Sequence, residues 1–510
     1  MNLPNEKPFV PSPYQQAVFD FVSTGRGSAL VTAVAGAGKT TTIVRALELL
    51  PPGAVTSFLA FNKRIADELK TRVPASVRAQ TFHSVGMSAW NFVKRKNVNV
   101  NKDKLRDLMQ AHFGDDDVRN YSSFACKLVS LARQIGMGFL APDSPDVWAH
   151  LIDHYDVSLD STDAVEADGI AIARKLLAHS IRTADAREGG PSLIDFDDML
   201  YMPLLRNAKF FQHDWVFVDE AQDTNGVQLA MLRRMLKPTT GRLVAVGDRR
   251  QAIYGFRGAD ASAMDNIKQA FSCVELPLTI SYRCAKNVVT KAQSIVPYIE
   301  AAETAPEGVV RSLERGIDEN TRQPTIEVPV FSAGEAIICR NTAPLISKAY
   351  DLIGQGVGCK VLGREIGSGL IKLIEKMRAK DLLALETKLE AWAQRESAKF
   401  IAKGQEQKAE GVFDKVAAIQ AVIGHLNEEE QTVQALKDRL DAMFTDDADA
   451  RMVLLMTAHK SKGLEFDRVY VLEPSLMPSK WARQEWQQEQ EQNLLYVTIT
   501  RARNELIFLE

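Results

Sequence analysis

Apolar residues along this chain follow two regimes that alternate twice. In the first regime, short continuous apolar runs precede helical patterns. Strand-like segments of this mainly apolar kind occur at 29–34, 55–61, 215–218, 243–246, 336–340, 360–362, 452–456, 469–472 and 506–509. Four apolar residues in a row, as at Trp215-Val216-Phe217-Val218, fit a strand buried on both faces, and so a parallel sheet covered by helices. In the second regime only the helical period survives. It holds from about Trp90 to Glu188, and again from about Arg364 to Ala450. There Phe413, Val416, Ile419 and Ile423 recur at helical spacing, as do Val433, Leu436, Leu440 and Met443, which predicts an antiparallel helix pair. The fold class expected is α/β: one lobe from 1–90 and 189–275, a second from 276–364 and 451–510. Helical insertions occupy 91–188 and 365–450. The Gln/Glu-rich stretch 484–492 is expected to be an exposed helix or loop.

Candidate chemistry sits where the apolar runs end. After the first comes Ala33-Val34-Ala35-Gly36-Ala37-Gly38-Lys39-Thr40-Thr41, a strand, a glycine-rich turn and a helix start. Small residues let backbone N–H groups approach phosphate oxygens, and the helix N-terminus adds partial positive charge. Lys39 would reach the β- and γ-phosphates and the Thr40 hydroxyl would ligate Mg²⁺. Ala33 stands where the general pattern has its first glycine. The run 215–218 ends in Asp219 and Glu220. One carboxylate can hold the metal shell, and the other can orient and deprotonate an attacking water. Gln251, beyond the run 243–246, could bridge the γ-phosphate and that water. Tyr254, Phe256 and Arg257 alternate aromatic and cationic groups, a pattern for stacking on unpaired bases. Phe61-Asn62-Lys63-Arg64 and Thr81-Phe82-His83-Ser84 combine an aromatic with polar or basic groups at strand ends; Phe61 and Phe82 read equally as core. Gln15, in a helix that starts at Ser12-Pro13, could read adenine through its amide.

Composition narrows this picture. A formal net charge of −3 means that any nucleic-acid contact comes from local patches, such as Lys94-Arg95-Lys96. The five cysteines (126, 273, 284, 339, 359) form no C-x-x-C pair, which argues against a zinc ribbon or a disulfide framework. No apolar run is long enough to span a bilayer, and the Pro-rich start does not read as a signal peptide. An intracellular protein, cytoplasmic or nucleoid-associated and without membrane contact, is expected.

Read together, Gln15, AGAGKT, FNK, TFHS, DFDD, VDEAQD, GDRRQAIYGFRGA, SYR, TAHKSKGLEF and LLYVTITRAR resemble the superfamily 1 DNA helicases of the UvrD/Rep/PcrA type, in that family's order. The short insertions and the AFNK and TFHS wording look closest to the F-box DNA helicase subgroup. The resemblance implies two RecA-like P-loop lobes with ATP in the cleft between them. It implies that Ala35 to Thr41 hold phosphates, Thr40 and Asp219 bind Mg²⁺, Glu220 is the general base and Gln251 senses the γ-phosphate. Arg283 and Arg501 would be arginine fingers. Gln15 and Tyr282 would hold adenine; Glu465, with Gly463, would hold the ribose side. Phe61, Asn62, His83, Tyr254, Phe256, Arg257 and His459 would line a single-strand track. The implied activity is 3′-to-5′ translocation on single-stranded DNA and unwinding of 3′-tailed duplex. RNA is left open as a track, and the insertions as protein-binding surfaces. Ala252, Phe256 and Ser281 depart from the usual Ser, Trp and Asn, but none removes a reacting group. Two rival activities remain: a translocase that strips recombinase filaments with little unwinding, and an ATP-gated DNA-binding scaffold.

Overall fold

The computed structural model describes residues 9–155, 157, 159–161, 164–186, 193–253, 262–313, 315–317, 324–326, 329–402, 404–447, 449 and 451–509. The chain forms two compact units. The first comprises Met1–Ala33 and Gly38–Leu278; the second comprises Val34–Ala37 and Thr279–Glu510.

The first unit is built on a parallel sheet of six strands: β1 Ala29–Ala33, β2 Thr56–Ala60, β3 Val77–Thr81, β4 Trp215–Val218, β5 Arg242–Gly247 and β6 Val274–Leu278. Their order is β3-β2-β4-β5-β1-β6, every pair parallel. The inner strands β2 and β4 are buried at every position, as expected for a sheet covered on both faces. β6, which the sequence reading divides at 275/276, lies whole in this sheet. Helices α1 Pro13–Thr24, α2 Lys39–Leu47, α3 Lys63–Arg72 and α4 Phe82–Lys94 alternate with the first strands. α1 opens with a capping box, in which Ser12 and Gln15 each accept the other's backbone N–H.

Helices α5 Lys104–His112, α6 Asp115–Gln134, α7 Pro145–Tyr155 and α8 Glu166–Asp185 pack around Trp90, Phe124, Leu128, Trp148 and Leu176. They join α9 Phe196–Leu205 through a buried ion cluster. Arg133 of α6, 1% exposed, pairs with Asp195, Asp197 and Asp198 at 2.9, 3.3 and 2.9 Å. Lys104 of α5, fully buried, reaches Asp198 at 2.6 Å and the Ser180 carbonyl at 2.8 Å. The DFDD stretch thus ties the helical region to the sheet. Removing one partner of such a cluster strands a buried charge, at a cost of about 3–5 kcal/mol. α10 Gly226–Met235 and α11 Ala263–Ala270 complete this unit's described helices.

The second unit has a parallel sheet of seven strands: β7 Val309–Leu313, β8 Ala336–Cys339, β9 Cys359–Leu362, β10 Phe444–Thr445, β11 Val453–Thr457, β12 Phe466–Leu472 and β13 Ala502–Leu509. The order is β7-β13-β12-β8-β11-β9-β10. Around it lie α12 Lys286–Ala292, α13 Thr342–Gly354, α14 Arg364–Met377, α15 Leu382–Ala402, α16 Glu406–Ile423, α17 Val433–Met443 and α18 Glu485–Ile499. The two helical stripes do not form their own pair. α16 packs mainly along α15 and α13, and α17 along α14, because Val416, Ile419, Leu436 and Leu440 all feed one shared core. Phe413 stays about half exposed. The Gln/Glu-rich stretch starts α18 and is mostly exposed, as expected. Glu491 is the exception: 2% exposed, it chelates the Arg340 guanidinium at 2.7–3.1 Å and accepts from Ser479 N and Gln407 Nε2.

No helix among the described residues is long and apolar enough to cross a membrane.

Candidate active site

In the first unit the chemistry gathers at the carboxyl ends of the strands. Gly38 caps α2 at φ 72°, a left-handed conformation that glycine adopts without strain, and no side chain caps the helix there. The first-turn N–H groups of α2 therefore offer their hydrogens to an anion. Lys39, the next residue, extends its ammonium to both oxygens of Glu220 at 3.2 Å. The Thr40 hydroxyl donates to Asp219 Oδ2 at 2.9 Å; Thr41 is half-buried in the same turn. The other Asp219 oxygen accepts from the Glu220 N–H at 2.9 Å. Glu220 itself sits at φ 52°, where a non-glycine residue is strained, a common signature of a functional position.

Burial dominates the electrostatics. It pushes the Asp219 carboxyl up to about 6, helped by the Glu220 charge and opposed by Lys39. Burial likewise raises Asp248 to about 6 against the pull of Lys39. Burial lowers Lys39, but Glu220, Asp219 and Asp248 outweigh it and hold the ammonium above its ordinary value. A hydroxyl beside a buried carboxylate is a hard-oxygen donor set of the kind Mg²⁺ takes. Among the described residues no cluster of three or more His, Cys, Asp or Glu side chains could hold a metal. Mg²⁺ bound through one or two protein ligands and substrate phosphates needs none.

Two residues given no role from sequence organise this site. The Gln222 amide, 1% exposed, donates to Glu220 Oε2, and its oxygen accepts the Asp248 N–H at 3.1 Å. Asp248 in turn accepts from the Gln251 amide at 2.8 Å. A chain of hydrogen bonds therefore runs from Gln251 through Asp248 and Gln222 to Glu220. Gln15 is not the solvated helix residue its position allows. It is 3% exposed, and its amide donates to Thr42 Oγ1 at 3.1 Å, beside the phosphate-loop helix.

Among the remaining candidates of this unit, Phe61 is 45% exposed whereas Phe82 is core. Asn62 spends its side-chain oxygen capping α3 through the Ile65 N–H. His83 lies edge-on to Phe196, ring centroids 6.0 Å apart, and burial lowers its pKa against the pull of Asp197. Tyr254, Phe256 and Arg257 lie outside the described residues.

In the second unit Arg283 Nε pairs with Glu465 at 2.6 Å, and its Nη1 approaches the Thr500 carbonyl at 3.4 Å. Arg501, 1% exposed, donates to the carbonyls of Val497 and Leu464 at 2.9 and 2.8 Å. Arg283, Glu465 and Arg501 thus share one neighbourhood, where β12 and β13 begin. His459 follows β11 at the opposite end of that sheet. Gly463 adopts φ 86° and Tyr282 is half exposed. Within this unit the Ala35 N–H donates to the Tyr496 hydroxyl at 2.8 Å, and Gly36 accepts from the Tyr282 N–H at 2.9 Å. A Cβ on Gly36 would come within 2.5 Å of the Arg283 Cβ, so only glycine fits.

Comparison with known proteins gives a consistent result. The model of the UvrD/REP helicase N-terminal domain matches residues 14–272, and that of the UvrD-like helicase C-terminal domain matches 452–509. Among similar proteins, F-box DNA helicase protein 1 of Schizosaccharomyces pombe is 24% identical over 94% of this chain and 55% of its own. F-box DNA helicase 1 of Gallus gallus is 23% identical over 94% and 47%. ATP-dependent DNA helicase Rep of Escherichia coli is 25% identical over 56% and 43%. The chain spans about half the length of these relatives.

Proposed function

The chain belongs to the UvrD/Rep helicase family, and from that premise we propose that it is an ATP-dependent DNA helicase moving 3′ to 5′ along single-stranded DNA. The observation that carries this reading is the pairing of Lys39 with Glu220 and of Thr40 with Asp219 at the strand ends of one parallel sheet. In this reading the α2 N-terminus and Lys39 bind the β- and γ-phosphates. Thr40 and Asp219 would hold Mg²⁺, which when bound neutralises charge on those phosphates. As Lys39 turns to the phosphates, Glu220 is released to accept a proton from the attacking water. Gln222 keeps that carboxylate aimed, and Gln251 reports the γ-phosphate through Asp248. Arg283 and Arg501 are assigned to neutralise charge that develops on the transferred phosphoryl group. Gln15, Tyr282, Gly463 and Glu465 are assigned to the nucleoside. Phe61, Asn62, His83 and His459, with Tyr254, Phe256 and Arg257, are assigned to the strand, which Phe61 can grip by stacking because its ring stands exposed.

Single-turnover strand displacement on DNA duplexes with 3′ or 5′ tails tests this. Displacement of the 3′-tailed duplex alone is expected. DNA-stimulated ATP turnover without displacement of either duplex would favour the filament-stripping translocase, and turnover indifferent to DNA the scaffold.

A further inference from the structure

At the end of the first sheet opposite Asp219 and Glu220, a cleft of about 350 Å³ opens between the edge strand β3, the later turns of α4 and residues 209–213, which lead into β4. Its floor is apolar and buried: Val85, Ala89 and Phe210. Two aromatic walls stand in solvent, Phe92 at 72% and Phe211 at 58% exposure. Its rim carries Arg78, stacked over the Phe211 ring at 5.0 Å, and Lys209. Neither cation has a hydrogen bond or ion pair with a described residue, and no acidic side chain lines the cleft.

One wall holds an unpaired buried polar atom. His213 is 2% exposed, and its Nδ1 lies 3.3 Å from the Met235 carbonyl. Its Nε2 has no hydrogen-bond partner among the described residues. Burial lowers its pKa and favours the neutral ring, opposed by the Met235 and Phe211 carbonyls and helped by the charge of Arg78. The ring is sealed from solvent and closes this wall of the cleft.

The cleft therefore asks for negative charge at its rim and a bulky apolar group on its floor. A nucleobase would leave its polar edge atoms against Val85, Ala89 and Phe210. A peptide meets both demands. We propose that this cleft docks an acidic segment of a protein partner that carries one large apolar side chain. That side chain fills the floor between Phe92 and Phe211, and flanking carboxylates pair with Arg78 and Lys209. The surface lies on the first unit itself, with Arg78 and residues 209–213 at the ends of its strands opposite Asp219 and Glu220.

The test uses the full chain and a fluorescein-labelled nonapeptide of Asp and Glu with one central Phe, read by anisotropy at low salt. Saturable binding is expected. It should weaken at least tenfold when the central residue is Ala, and at least tenfold in the double variant Arg78→Glu, Lys209→Glu. Phe92→Ala, a change at an exposed position, should weaken it comparably. ATP turnover and circular dichroism of these variants should match the parent. Absence of saturable binding, or binding indifferent to the charge reversal, would overturn the proposal. So would charge reversal that lowers affinity for labelled oligothymidylate instead, since the cleft would then be a nucleic-acid contact.

Discussion

The two parallel sheets carry their polar machinery differently. In the first unit Lys39, Asp219, Glu220 and Asp248 crowd at the carboxyl ends of strands, where burial raises two carboxyls to about 6 and one ammonium faces three carboxyls. In the second unit Arg283 and Arg501 stand where β12 and β13 begin, tied to Glu465 and to backbone carbonyls. Asp219 and Asp248 can gain and lose protons near pH 6; guanidinium groups cannot. Under the proposed function the first unit is assigned the metal and the water, and the second a permanent charge.

The largest effect that would break this comparison comes from the arginines. Arg283→Ala, and Arg501→Lys with folding checked by circular dichroism, should each lower ATP turnover by on the order of 10³-fold or more, while nucleotide affinity changes little. A loss confined to affinity would place them in ground-state binding. Next in size is pH. Asp219 must be ionised to hold a metal, so protonation opposes it; kcat/KM for ATP should fall about tenfold per unit below about pH 6 and flatten above it. Asp248→Asn should leave that tenfold-per-unit fall in place, because Asp219 is the carboxyl assigned to the metal. A profile that stays flat down to pH 5 would contradict the buried-carboxylate picture. Smaller still, Gln222→Leu should cost about 10-fold or more in turnover by loosening Glu220, with ATP affinity retained. Smallest is Phe61→Ala. Losing one base-stacking ring should weaken single-strand affinity by roughly 10-fold, leaving DNA-free turnover untouched.

Much of this site was legible along the chain, because its parts are local. A buried strand shows as an apolar run, a phosphate loop as small residues before Lys-Thr, and both recur in the sheet and at the α2 N-terminus. What escaped notice depends on partners distant in sequence. Arg133 and Lys104 lie 62 and 94 residues before the aspartates they meet, so the DFDD stretch carried no sign of its role as an anchor. Glu491 hid in a run of Gln and Glu that looked solvated, and only the fold brings Arg340 to it. Gln222 stood inside a stretch already recognised, yet its bond to Asp248 requires β4 and β5 to lie side by side. The helix stripes gave most of the buried positions but not the main partners, because periodicity shows which side packs but not against what.

The most direct measurement is steady-state ATP hydrolysis by the full chain and by Lys39→Ala, each with and without oligothymidylate. The account predicts at least tenfold stimulation of the parent by the oligonucleotide. It predicts for Lys39→Ala a loss of roughly 10²–10³-fold, with unchanged circular dichroism. Turnover in Lys39→Ala equal to that of the parent, or a parent indifferent to DNA, would contradict it.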